Sequence, residues 1–117
     1  MLKFQEILVK LRENNIGMDI KKLTEEEIKL NLSKLSGWKI EGGKLHKLFK
    51  FKNFNQAMCF MVGVGMVSEK MNHHPEWSNV YENVNVHLVT HRVAGLTELD
   101  FQLAEKMDKI AINFNLD

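Results

Sequence analysis

The spacing of apolar residues changes several times along this chain, and each change marks an element. Phe4, Ile7, Leu8 and Leu11 fall at i, i+3, i+4 and i+7, which predicts a short amphipathic helix over residues 2–13. Asn14, Asn15 and Gly17 end it. Thr24 opens a second helix: Glu27 lies three positions on, the spacing of a capping box in which the threonine oxygen takes a free helical N–H and the glutamate reaches back. Ile28, Leu32 and Leu35 give that helix one apolar stripe, and Gly37 stops it, because glycine takes the left-handed conformation needed just past a helix end. Trp38 to Ile40 then reads as a short strand and Glu41-Gly42-Gly43 as a turn. Leu45 to Phe51 forms the second arm of a hairpin, with Leu45, Phe49 and Phe51 on one face and Lys50 and Lys52 on the other. Asn53 with Gln56 starts the longest helix, over residues 54–72. Pro75 forbids its continuation and biases His74 toward an extended conformation. Strands follow over Trp77–Tyr81 and Val84–Leu88, joined by a turn at Glu82-Asn83. The alternation of Val84, Val86 and Leu88 with Asn85 and His87 marks a half-buried strand. Gly95 breaks the chain, Thr97 and Asp100 repeat the capping pattern, and Leu99, Leu103, Met107 and Ile110 form the buried stripe of a last helix.

The order helix, helix, strand, strand, helix, strand, strand, helix predicts an α+β fold. Its sheet is four-stranded and mainly antiparallel, with helices packed on one face and an extra N-terminal helix. The long helix stands out. Phe60, Met61, Val64, Val67 and Met71 form one stripe, while Ala57, Met58, Val62, Gly63, Gly65 and Met66 fill much of the remaining circumference. A helix apolar nearly all round must be covered on more than one side. Either it is the central helix of a monomer, or its outer side is a subunit interface, and its methionines and glycines suit the interface.

Composition narrows the function classes. At 117 residues and 13.6 kDa the chain is one domain in size, able to bury a core without disulfides. The net charge of +1 removes the usual electrostatic case for nucleic acid or an anionic membrane. No apolar run is long enough for a transmembrane helix, and the N-terminus lacks a signal-peptide core. The single cysteine, Cys59, fits a reducing compartment such as the cytoplasm and reads as a small buried hydrophobe.

Four histidines, His73, His74, His87 and His91, lie within residues 73–91. Histidine exchanges protons near neutral pH, so a cluster of them marks acid–base chemistry. His73 and His74 follow a helix C-terminus, where the helix dipole favours positive charge. If the helix reaches His73, Glu69 and His73 lie four apart and face the same way. His91 ends the strand from Val84 on the parity of His87, which sends both away from the helix-covered core, and His87 reads as a surface strand residue. Asp100 reads first as the capping carboxylate of Thr97. The cluster is a poor metal site by spacing, since adjacent histidines point apart and no helical i, i+4 histidine pair exists. Cys59 is a weak candidate nucleophile, and no glycine-rich phosphate loop is present.

The run E-K-M-N-H-H-P-E-W (Glu69 to Trp77), then N-V-Y (Asn79 to Tyr81), T-H (Thr90-His91) and A-G-L-T-E-L-D (Ala94 to Asp100) closely resembles the pterin-4a-carbinolamine dehydratases. The resemblance covers residues 23–113, which leaves 1–20 as an N-terminal extension and 21–117 as the domain. It implies an enzyme that dehydrates a 4a-hydroxytetrahydropterin to the quinonoid dihydropterin, in recycling tetrahydrobiopterin, without metal or organic cofactor. It implies catalytic roles for His73, His74 and His91, a pterin contact at Glu69, and pocket-shaping roles for Pro75, Trp77 and Asp100. Of the histidines, His74 and His91 are the expected proton-transfer pair, with His73 as substrate binder and auxiliary base. The resemblance also implies a homodimer or homotetramer using the long helix. Animal members bind a homeodomain transcription factor through that helix, so a protein-binding role, with nuclear entry, is the alternative. Two positions depart from the family pattern. Asn72 stands where aspartate is frequent, and Leu99 stands where a charged residue is frequent, with Leu99 expected to serve only the buried stripe.

Overall fold

Thr24 caps the first helix as its spacing predicts. In the computed structural model of the chain, which describes residues 20–114 together with Lys3, Gln5 and Glu6, the Thr24 hydroxyl accepts from the Glu27 N–H at 3.1 Å and the Glu27 carboxylate accepts from the Thr24 N–H at 2.9 Å. This helix, α1, spans Glu25–Leu32. It stops short of Leu35 because Ser33 caps it, its hydroxyl donating to the Leu30 carbonyl at 2.6 Å. The predicted helix over residues 2–13 lies outside the described residues, apart from Gln5 and Glu6, which are helical.

The sheet comprises β1 (Lys39–Glu41), β2 (Lys44–Lys50), β3 (Glu76–Val80) and β4 (Asn83–Leu88), in the order β1-β2-β4-β3 with every pair antiparallel. Gly42 and Gly43 turn the first hairpin at φ of 59° and 78°, a region costly for other residues. The β2–β4 register sets Leu45 opposite Leu88, His46 opposite His87 and Phe49 opposite Val84. Period-two alternation therefore sends Leu45, Phe49, Val84, Val86 and Leu88 to one face, where all are buried. The other face carries His46, Leu48, Asn85 and His87, and no described helix covers it.

The long helix α2 (Phe54–Met71) and the last helix α3 (Glu98–Ile112) close the core against the apolar face. Phe60 of α2 packs on Phe49 with ring centroids 4.7 Å apart and the planes tilted by 40°, and Leu103 and Met107 of α3 are fully buried. Only Ala57, Phe60, Val64 and Ser68 of α2 are buried; Phe54, Met58, Val62 and Met66 form an i, i+4 row that is exposed. Cys59 lies on this outward circumference and is exposed, which corrects the buried position expected for it. No helix among the described residues is long and apolar enough to cross a membrane.

The end of β4 differs from expectation. The strand stops at Leu88, Thr90 bridges to Gly95, and His91 opens a single 3₁₀ turn, His91–Val93, closed by Ala94 at a φ of 51°. His91 nevertheless stays on the side of His87, since its Nε2 bonds Glu76, the residue directly opposite His87 across β3 and β4, while the 3₁₀ turn also brings it to the cleft beside the end of α2 and the start of α3.

Candidate active site

The site is built where three chain ends converge. Helix α2 ends because Asn72 takes the left-handed conformation (φ 55°, ψ 41°), which asparagine tolerates better than most residues, and its N–H turns back to the Glu69 and Ser68 carbonyls. The His73 N–H follows, bonding the Ser68 carbonyl at 3.0 Å. This reversal sends His73 inward, where it is 8% exposed, and His74 outward. The i, i+4 pairing of Glu69 with His73 therefore does not form. Glu69 bonds His74 instead, Oε1 to Nε2 at 2.8 Å. Asn72 thus has a conformational role that does not need a carboxylate.

Asp100 sits in the first turn of α3 and is fully buried. Its Oδ2 accepts from the Thr97 N–H at 3.0 Å and from the Thr90 hydroxyl at 2.8 Å, while its Oδ1 faces His73 Nε2 at 2.6 Å. The capping role read from the sequence holds, and a second role joins it. A buried carboxylate with these donors is a compensated charge at a helix N-terminus. It places the proton of a neutral His73 on Nε2 and leaves Nδ1 as the free ring nitrogen. Thr90 and Thr97 also bond each other at 2.8 Å, tying the 3₁₀ turn to the start of α3.

His91 is exposed, and its Nε2 lies 2.8 Å from Glu76 Oε2. The other Glu76 oxygen accepts from Lys44 Nζ at 2.6 Å. The Lys44 hydrogen bond, helped by the one from His91 and outweighing partial burial, holds the Glu76 carboxyl below its ordinary value. Glu27 is lowered too, chiefly by the Thr24 backbone N–H of its capping box. For carboxyls whose folded pKa is depressed, the stabilisation is complete above the unfolded value near 4.5 and is lost as pH falls through the folded value. The thermal midpoint should therefore hold steady from neutrality to about pH 5 and fall below that. Glu76→Gln should flatten part of the fall, measured by thermal unfolding across pH.

A cleft of about 350 Å³ opens between these ends, within the size range of small-ligand sites. His73, His74 and His91 all line it, as do the side chains of Met71, Val89 and Leu99. The structure thus brings the three sequence-predicted histidines together, each hydrogen-bonded to its own carboxylate: Asp100, Glu69 and Glu76. Asp100 stands behind His73. Glu69, Pro75 and Trp77 are not among the residues lining the cleft. Trp77 lies opposite Val86 and packs against the core on the helix-covered face. Leu99, expected to serve only the buried stripe, is half-buried and forms part of the cleft wall. Sequence reasoning missed Glu76, although it shares its strand face with Ser78, opposite the His87 and Asn85 of β4. It also missed Thr90, for which spacing carries no signal.

Comparison with known proteins agrees with this geometry. A family described as pterin 4 alpha carbinolamine dehydratase matches residues 21–110. A protein of Chelativorans sp. (strain BNC1), named "Putative pterin-4-alpha-carbinolamine dehydratase", is 51% identical over 92 residues, covering 77% of this chain and 94% of the relative. One of the same name from Jannaschia sp. (strain CCS1) is 56% identical over 78 residues, covering 65% of this chain and 80% of the relative. A crystal structure of a transcriptional coactivator/pterin dehydratase from Brucella melitensis superposes with a TM-score of 0.76 at 44% identity, covering 78% of this chain and 99% of that one. With the α+β fold shared and the match running from α1 to the end of the core, the chain belongs to the pterin 4 alpha carbinolamine dehydratase family.

Proposed function

We propose that the chain dehydrates a 4a-hydroxytetrahydropterin to the quinonoid dihydropterin and water, with His73 and His91 moving the protons. The observation that carries this reading is the single cleft lined by three histidines, each backed by a carboxylate. In the reaction the C4a–O bond breaks, the N5–H proton leaves, and the N5 electron pair forms the C4a=N5 double bond. The departing hydroxyl takes a proton and leaves as water. No electrons are exchanged with another molecule, so one base and one acid are sufficient.

His73 is the better base. It is buried, and Asp100 both fixes its tautomer and stabilises the imidazolium it becomes. His91 is the matching acid: its Nε2 bonds Glu76, a carboxylate that Lys44 anchors and holds below its ordinary value. Return of the proton from His73 to His91 through solvent completes the cycle. Sequence position alone favours His74 as the partner of His91; the burial of His73 against Asp100 supports moving the base there. His74 and Glu69, exposed together at the rim, suit substrate binding. Met71, Val89 and Leu99 offer apolar contact to a flat bicyclic ring. Purified protein should accelerate the decay of chemically generated 4a-hydroxytetrahydropterin with a chelator present. A rate equal to buffer would remove the enzyme reading.

The exposed row Phe54, Met58, Val62 and Met66 supports self-association of α2, as a homodimer or homotetramer. The dual description of the Brucella relative supports the alternative, in which the same row receives a transcription-factor helix. Val62→Asp should reduce the solution mass to that of one chain, measured by light scattering. An unchanged oligomer would take self-association off this row.

A further inference from the structure

A second cluster lies on the open face of the sheet, outside the cleft. We propose that Glu41, His46 and His87 form a binding site for a divalent transition metal, of the kind suited to Zn²⁺. The three come from three strands: Glu41 from β1, His46 from β2 and His87 from β4, the two histidines directly opposite each other. One ligand atom from each lies within 4.8 Å of the others. His87 Nε2 is 3.0 Å from Glu41 Oε1, and His46 Nδ1 is 3.7 Å from Glu41 Oε2. Ligands about 2.0–2.2 Å from a tetrahedral Zn²⁺ sit about 3.3–3.6 Å from one another, so these separations bracket the edge of such a site.

His46 makes the strongest case. Its Nε2 lies 2.7 Å from Asn85 Oδ1, which can only accept, so that nitrogen carries the proton. The remaining nitrogen, Nδ1, is buried and has no hydrogen-bond partner. In the neutral ring it holds a lone pair 3.7 Å from the Glu41 carboxylate, two acceptors with no hydrogen bond between them. Lys39 Nζ also lies 3.7 Å from that Glu41 oxygen, and a cation placed between the ring nitrogen and the carboxylate, either a proton on Nδ1 or a metal, gives both acceptors a partner. The His46 and His87 rings have centroids only 4.4 Å apart, so one ion could take a ligand atom from each, whereas a proton on Nδ1 would serve His46 alone. A metal needs both rings neutral and uses both. Asn85 then acts as an outer-sphere partner, orienting a liganding imidazole through its far N–H. Two histidines, one carboxylate and one position left to water match a three-ligand zinc site. Bound there, the ion ties the short edge strand β1 to the centre of the sheet.

The test uses the full chain, stripped with a chelator, then titrated with Co²⁺ and followed by visible absorption, and with Zn²⁺ followed by calorimetry. One equivalent per chain is expected, with the intense bands of four-coordinate Co²⁺. Zn²⁺ at 100 times its dissociation constant should raise the thermal midpoint by about 10 °C. His46→Ala and His87→Thr should abolish the bands, and Asn85→Ala should weaken binding about 10–100-fold. Glu41→Gln, at the exposed tip of the hairpin, keeps the comparison valid should a histidine variant lose its fold, as circular dichroism would reveal. His73→Ala and His91→Ala should bind as the parent does. Absence of uptake would overturn the site. Bands that survive His46→Ala and vanish in His91→Ala would overturn it equally, by moving the metal to the cleft.

Discussion

Replacing His73 with alanine is expected to lower the turnover of 4a-hydroxytetrahydropterin by about 10²–10⁴-fold, the contribution of one positioned proton carrier. The chain should stay folded. Asp100 keeps its bonds from the Thr97 N–H and the Thr90 hydroxyl, so its charge is not stranded, and the stability loss should be about 1–3 kcal/mol. His73→Gln separates structure from chemistry. The amide can donate to Asp100 and recover part of the stability, but it cannot take a proton at neutral pH, so turnover stays low. Stopped-flow decay of the carbinolamine, read beside thermal unfolding, checks both effects. Near-parental turnover in either variant would return the base to His74, the residue that chain position favours.

Asp100→Ala is expected to have the largest effect on stability, about 3–5 kcal/mol. The side chain is fully buried and receives three hydrogen bonds, so its removal leaves His73 Nε2, the Thr90 hydroxyl and the Thr97 N–H without their partner and uncaps α3. Asp100→Asn keeps the volume and one acceptor, so it should cost less. Its activity should still fall about 10²–10⁴-fold, because the amide N–H₂ must face one of the donors and the charge that stabilises a protonated His73 is gone. Chemical denaturation and the dehydration assay distinguish the two variants. Equal turnover in parent and Asp100→Asn would reduce Asp100 to a helix cap.

The elements were legible in the sequence because their signals are local. Thr24 with Glu27 and Thr97 with Asp100 mark helix starts that the structure reproduces as full capping boxes. The alternation through Val84, Val86 and Leu88 reproduces the buried face of β4. The α+β order follows from these alone, and the cluster of histidines marked the right end of the molecule. What stayed hidden depends on how the chain leaves its elements. Asn72 in the left-handed region exchanges the partners of Glu69, and the bridge between Thr90 and Gly95 carries His91 out of the strand into a 3₁₀ turn at the cleft, within reach of Glu76. Neither is encoded in periodicity, since one residue of reversal resets the face of everything after it. Glu76, Thr90 and His46 were missed for a related reason: their partners are supplied by other strands and turns, at separations that spacing along the chain does not measure.

The claim that His73 and His91 form one acid–base pair across the cleft is tested most directly by the dehydration rates of the parent, His73→Ala, His91→Ala and the double variant, measured with a chelator present. Two groups serving one bond-breaking event act as a unit, so each single change should cost about 10²–10⁴-fold and the double little more than the worse single. Single variants that retain parental rates would contradict the account, as would a parent no faster than buffer.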